Sequence, residues 1–134
     1  MRIFLDANVL FSAAQTNGAV RMLVTRLHES NHRLIADAYV WEEAKRNLVA
    51  RYPSGLSALD ALTSTIAIVP LRGDQGPEAL PVDDKDKPVL AAAITLDCRA
   101  LITGDRTHFG HLFGKAVQGV TIYSPALAAR SLLR

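Results

Sequence analysis

Four acidic residues stand where a fold could bring carboxylates together. Asp6 follows the apolar run Ile3-Phe4-Leu5, and Asp105 follows Leu101-Ile102-Thr103-Gly104. Asp86 stands just before the apolar stretch Val89-Leu90-Ala91-Ala92-Ala93, and Glu42 and Glu43 are adjacent in a charged, periodic stretch. Carboxylates held close repel and raise one another's pKa unless a cation neutralises them. A site of oxygen donors with no Cys or His cluster suits Mg²⁺ or Mn²⁺ better than zinc. The usual task of such a site is phosphoryl chemistry, in which the ion activates a water and neutralises the attacked phosphate. The chain offers no evident Ser–His or Cys–His pair as an alternative nucleophile.

The surrounding elements decide whether these acids meet. Residues 2–5 read as a short strand ending at Asp6. Val20, Leu23, Val24 and Leu27 recur at helical spacing over residues 19–29. Residues 33–36 read as a second strand, and Asp37 as the N-cap of a helix over 38–51. Leu56, Leu59, Leu62 and Ile66 suggest a helix running up to a strand at 66–71, and residues 72–85 read as a long loop. A helix at 88–96, strands at 100–103 and 119–123, and a helix at 125–133 complete the chain. Strands alternating with helices predict an α/β fold with a mainly parallel sheet. Ligands in such sheets bind beyond the carboxyl ends of the strands. If the first strand lies beside the strand at 100–103, Asp6, Asp86 and Asp105 converge.

The helix at 38–51 offers two glutamates. Its apolar stripe is Val40, Ala44 and Leu48. At about 100° per residue, Glu42 faces away from that stripe, whereas Glu43 lies about 60° from Val40 on its flank. Glu43 is therefore the candidate and Glu42 a solvated residue.

Composition bounds the remaining choices. With 134 residues, 49% hydrophobic and 21% charged, the chain is expected to form a single domain over 1–134 with one core. A net charge of +2 permits a polyanionic partner without demanding one. The single cysteine, Cys98, cannot form an internal disulfide and points to a reducing cytoplasm. The apolar stretch at 89–96 is far short of the ~18 residues of a membrane span. Asp6 interrupts the N-terminal apolar run, so no signal peptide is expected.

The segments Ile3-Phe4-Leu5-Asp6-Ala7-Asn8-Val9-Leu10, Glu43-Ala44-Lys45-Arg46-Asn47-Leu48, Asp86-Lys87-Pro88-Val89-Leu90 and Leu101-Ile102-Thr103-Gly104-Asp105 resemble the conserved blocks of PIN-domain nucleases. Gly119-Val120-Thr121-Ile122-Tyr123-Ser124-Pro125 resembles that family's last strand and helix, and the blocks keep the family's order. The branch it resembles is the VapC kind, toxins of bacterial toxin–antitoxin pairs. The resemblance implies a three-layer α/β/α sandwich and a Mg²⁺- or Mn²⁺-dependent endoribonuclease acting on RNA. It also implies a protein antitoxin, a homodimer or higher oligomer, and no membrane. Residue by residue, Asp6, Glu43, Asp86 and Asp105 match the catalytic quartet. Asp6, Asp86 and Asp105 would bind metal, with Asn8 and Thr103 as polar support. One position departs from the pattern: His108 precedes Phe109 where many toxin relatives carry an acid. Either Asp105 supplies the fourth carboxylate alone, or the metal site is weaker than in those relatives.

Plainer roles exist for each residue. Asp86 could simply cap its helix, Asp105 could serve a turn, and Glu43 could pair with Arg46 or Asn47. Asp83 and Asp84 read as solvated loop acids, and His108 and His111 as loop residues rather than a metal pair. Lys45, Arg46 and Arg51 read as a solvated face, Tyr39 and Trp41 as packing residues, and Cys98 as inert core. Rival functions are a PIN fold kept as a binding or scaffold module, and a phosphatase-like acidic-site hydrolase. The latter would want a second aspartate where Asn8 stands. A receiver-like domain would need a lysine after a late strand, which Gly104-Asp105 does not provide.

Overall fold

The computed structural model describes residues 1–71 and 79–133, so half of the long segment expected at 72–85 lies outside the described residues. The chain runs β1 (Arg2–Leu5), α1 (Ala7–Gln15), α2 (Ala19–Glu29), β2 (Arg33–Asp37) and α3 (Ala38–Arg51). It continues through α4 (Leu56–Ala61), β3 (Ile66–Val69), α5 (Lys87–Thr95) and β4 (Ala100–Ile102). The last third holds α6 (Arg106–Phe109), β5 (Ala116–Val117), β6 (Val120–Tyr123) and α7 (Pro125–Leu132).

The six strands form one sheet in the order β3-β2-β1-β4-β6-β5, and only the β5–β6 pair is antiparallel. Ile3, Phe4 and Leu5 of β1 are all fully buried. Successive strand side chains face opposite sides, so both faces of this central strand are covered, giving a three-layer α/β/α arrangement. The apolar residues that define α2 by period, Leu23, Val24 and Leu27, are its buried ones. Asp37 caps α3 by accepting from the Val40 backbone N–H at 3.0 Å. No helix among the described residues is long and apolar enough to cross a membrane.

The order of strands matters most for function. From β1 the chain steps outward to β2 and β3, then returns to place β4 on the other side of β1. That reversal is the switch point at which open parallel sheets form their ligand crevice. The register pairs Leu5 with Ile102, and the Asp6 N–H continues the ladder to the Ile102 carbonyl at 3.0 Å. The residues just past both strands are thereby held side by side.

Three elements go beyond the periodic pattern. Helix α1 is built from the short, mainly apolar segment ANVLFSAAQ, in which Ala7, Val9, Leu10, Ala13 and Ala14 are buried. Helix α6 has four residues and β5 has two. The β5–β6 hairpin turns through Gln118 and Gly119, both at positive φ, as a two-residue hairpin of the primed type requires.

Helices α1, α3 and α4 pack on one another around Gly55, which is buried in a one-turn 3-10 segment. A Cβ there would lie 2.9 Å from Leu48 Cδ2 and 3.2 Å from the Ala14 carbonyl oxygen. Gly55→Ala is therefore expected to cost about 1–3 kcal/mol through overpacking, read as a lower urea midpoint with an unchanged slope. An unchanged midpoint would mean that the α1–α4 contact gives way freely.

Candidate acidic active site

Asp6 leaves β1 at the switch point and is buried. Its Oδ1 accepts from the Ala7 N–H at 2.7 Å, which caps α1. Its Oδ2 accepts from the Thr103 hydroxyl at 2.8 Å and from Asn8 Nδ2 at 3.2 Å. Asn8 in turn accepts from the Gly104 N–H at 2.7 Å, and the Thr103 hydroxyl accepts from the Asp105 N–H at 3.2 Å. Asn8 and Thr103 thus stitch the start of α1 to the end of β4 around one carboxylate. Even so, burial pushes the Asp6 pKa up to about 6, against the bonds from Thr103 and Ala7. The charges of Glu43 and Asp105 push the same way. Asp6 is a carboxylate with too few positive partners.

Glu43 is half-buried on α3 whereas Glu42 is exposed, as the helical period predicts. Among the described residues Glu43 makes no ion pair. Asp86 occupies the position before α5, yet its side chain makes no capping bond. Its Oδ2 is buried and has no hydrogen-bond partner. Burial raises its pKa, with Asp105 adding to the shift and His108 opposing it. A buried carboxylate oxygen without a donor is costly, and the capping role does not account for it.

Asp105 caps α6 through the His108 N–H at 3.1 Å, and its Oδ2 lies 2.7 Å from His108 Nδ1. Burial pushes its carboxyl up, but the bonds and charge of His108 outweigh this and bring it below the ordinary range. Its charge is felt by both Asp6 and Asp86. The structure therefore gathers Asp6, Glu43, Asp86 and Asp105 at one sheet edge, with Asn8 and Thr103 among them.

The sequence model of the PIN domain matches residues 2–107, most of the chain. The protein belongs to the PIN domain family. The match contains all four acids and stops one residue short of His108. Among solved structures, the chain is similar to VapBC2 from Rickettsia felis bound to a DNA fragment from its promoter. The TM-score is 0.68 at 15% identity, covering 92% of this chain and 98% of that one. It is also similar to VapBC-1 from nontypeable Haemophilus influenzae, with TM-score 0.61, 14% identity, and coverage of 94% and 99%. At these identities the likeness is one of fold. No curated protein matches the sequence.

Three residues of this PIN domain reach the acids without a local sequence signal. His108, read as a loop residue, lies on α6 with Nδ1 3.8 Å from Asp86 Oδ2 and Nε2 3.9 Å from Asp83 Oδ2. Asp83 is solvent-exposed as expected, but it faces the site, and Asp83, Asp86 and His108 each offer an atom within 4.8 Å of the others. Tyr39, on the first turn of α3, has its hydroxyl pKa raised by burial and by the charges of Glu43, Asp6 and Asp86, against Arg46. By contrast Asp84 pairs with Lys87 at the surface at 2.8 Å, and His111 reaches only the Pro81 carbonyl at 3.2 Å.

Thr103 shows how tightly this PIN domain holds its central acid. It is fully buried, and Thr103→Val removes the hydroxyl while keeping the shape. The loss of a charge-assisted donor to a buried carboxylate should cost about 2 kcal/mol at neutral pH and raise the Asp6 pKa further. Unfolding titrations at two pH values, with carboxyl signals followed by NMR, would show both effects. An unmoved Asp6 pKa would mean that the hydroxyl is not its main support.

Proposed function

We propose that this PIN domain is a divalent-metal-dependent endoribonuclease and the toxin half of a toxin–antitoxin pair. The observation that carries the reading is the unpartnered, buried Oδ2 of Asp86 in a ring of acids whose central member, Asp6, is itself short of positive charge. Hard oxygen donors with unmet charge fit Mg²⁺ or Mn²⁺. Asp6 and Asp86 are the acids that would hold the ion. Asp105, a third metal ligand by the sequence resemblance, adds charge that both of them feel. When bound, such an ion supplies Lewis-acid chemistry: it neutralises charge on a phosphodiester and favours ionisation of water.

The chain's own groups prepare the site. Thr103 and Asn8 hold the Asp6 carboxylate in one orientation through Oδ2, which leaves its position independent of substrate. Glu43, half-buried and without an ion pair among the described residues, completes the acidic cluster and would accept a proton from an attacking water at its carboxylate. Lys45 and Arg46 are exposed beside it on α3 and suit phosphate contacts along an RNA strand. RNA as substrate and a cytoplasmic setting draw on the family resemblance. A protein antitoxin is supported by both similar structures being VapBC complexes. Homodimers are part of the same reading, and light scattering of the purified chain tests them.

The test is cleavage of a mixed pool of structured and single-stranded RNAs with Mg²⁺, Mn²⁺ or EDTA, comparing the parent with Asp6→Asn. Metal-dependent cutting that disappears in the variant is the expected result. Equal Mn²⁺ binding by the two proteins would overturn the acidic site itself.

A further inference from the structure

His108 stands where an all-oxygen site would carry another acid, and its surroundings are those of a ligand. The 2.7 Å contact with Asp105 requires a proton on Nδ1, because a carboxylate only accepts. In the neutral ring that proton leaves the lone pair on Nε2, the nitrogen available to a metal. Nε2 lies 3.9 Å from Asp83 Oδ2, and on the other side of the ring Nδ1 lies 3.8 Å from the unpartnered Asp86 Oδ2. Both separations are too long for hydrogen bonds, so His108 satisfies neither acid directly. The Nε2–Asp83 separation does match two donors on one ion, since donors about 2.1 Å from one centre lie about 3.0 Å apart when adjacent and about 4.2 Å when opposed, and Asp83, Asp86 and His108 each offer an atom within 4.8 Å of the others. Asp105 meanwhile accepts from His108 through both oxygens, one to the ring and one to the backbone N–H. A carboxylate that holds one imidazole nitrogen while the other faces the metal is a recurrent arrangement in metal sites.

We propose that His108 gives a nitrogen donor directly to the cation of the acidic site, positioned by Asp105, and so tilts the site toward Mn²⁺ over Mg²⁺. The proposal rests on the metal-binding reading above. Mg²⁺ keeps its waters and prefers oxygen, whereas first-row transition ions accept imidazole readily. The nitrogen thus changes which ion is favoured and replaces the acid that the family pattern would put there.

The experiment uses the full chain loaded with Mn²⁺, with isotope-labelled histidine, read by pulsed electron paramagnetic resonance and by calorimetry. A histidine nitrogen coupled to the Mn²⁺ spin is expected in the parent and in His111→Gln, and its loss in His108→Gln. Mn²⁺ affinity should fall about tenfold or more in His108→Gln while Mg²⁺ affinity holds. In Asp105→Asn the coupling should persist with altered magnitude, because Nδ1 keeps an acceptor but loses an anionic one. An unaltered coupling would remove Asp105 from the proposal. Mn²⁺ bound without any histidine coupling overturns the role of His108 and leaves the acidic site standing. No Mn²⁺ binding at all overturns both.

Discussion

Asp6→Asn is expected to unfold at a higher temperature than the parent at pH 7.5 in EDTA, even as RNA cleavage falls on the order of 1000-fold. The Asp6 carboxyl has its pKa raised to about 6, against about 4 in an unfolded chain. Between those values the folded state holds a proton that the unfolded state has released. Stability associated with this group is therefore full below pH 4 and is lost as pH rises through 6. Above pH 6 the charged carboxylate costs the fold about 3 kcal/mol, since each unit is about 1.4 kcal/mol. Asparagine removes that cost and keeps an oxygen for the Ala7 cap, although the bonds to Thr103 and Asn8 must rearrange. A net gain of about 2 kcal/mol, or some ~7 °C, should appear at pH 7.5 and vanish below pH 4. Saturating Mn²⁺ should stabilise the parent and not the variant. The activity loss follows from removing several kcal/mol of charge stabilisation at the reacting phosphate. A variant less stable than the parent at pH 7.5 would show that the folded protein already balances this charge without an ion.

Phe109→Ala should be the most damaging single core truncation near the site, at about 3–5 kcal/mol. Phe109 is fully buried on α6, and its N–H bonds to the Asp105 carbonyl at 3.0 Å. The four-residue helix has little else to hold it, so the ring anchors the turn that carries both Asp105 and His108. Leu27→Ala, equally buried but on α2, provides the comparison. Both variants should lose stability in urea. At low temperature, where both remain folded, only Phe109→Ala should also bind Mn²⁺ more weakly. Equal Mn²⁺ affinity in the two would mean that α6 keeps its place without its anchor.

The contrast between α6 and α3 explains what sequence reasoning could reach. Helix α3 has a cap, an apolar period and fourteen residues, so its bounds and its Asp37 cap were legible, and so was Glu43 over Glu42. Helix α1 was not, because its nine residues, six of them apolar, span only about two and a half turns, too few for a period to stand out. Strands of two residues and helices of four carry no period at all. The four acids could be placed at strand and helix ends one by one, but their meeting depends on β4 lying beside β1, a pairing across nearly a hundred residues. The same limit hid His108. Its partners Asp83 and Asp86 belong to a different segment, and only the fold sets them against the ring. A cap was the plainer local alternative to a metal role for Asp86, and its side chain makes no capping bond.

The place of β1 in the middle of the sheet has a temporal side. Asp6 is made early relative to its partner: the hydroxyl that orients it lies 97 residues later in the chain. Strand β1 also needs β4 before both of its flanks are paired. A nascent chain can therefore display Asp6 and Glu43 long before it has a working centre, and a product broken off before Thr103 lacks one permanently. At ribosomal speeds of about 5–20 residues per second, that interval is on the order of 5–20 s. Under the proposed ribonuclease function, this ordering keeps the ribosome's own message out of reach of the growing polypeptide until Thr103 has been made.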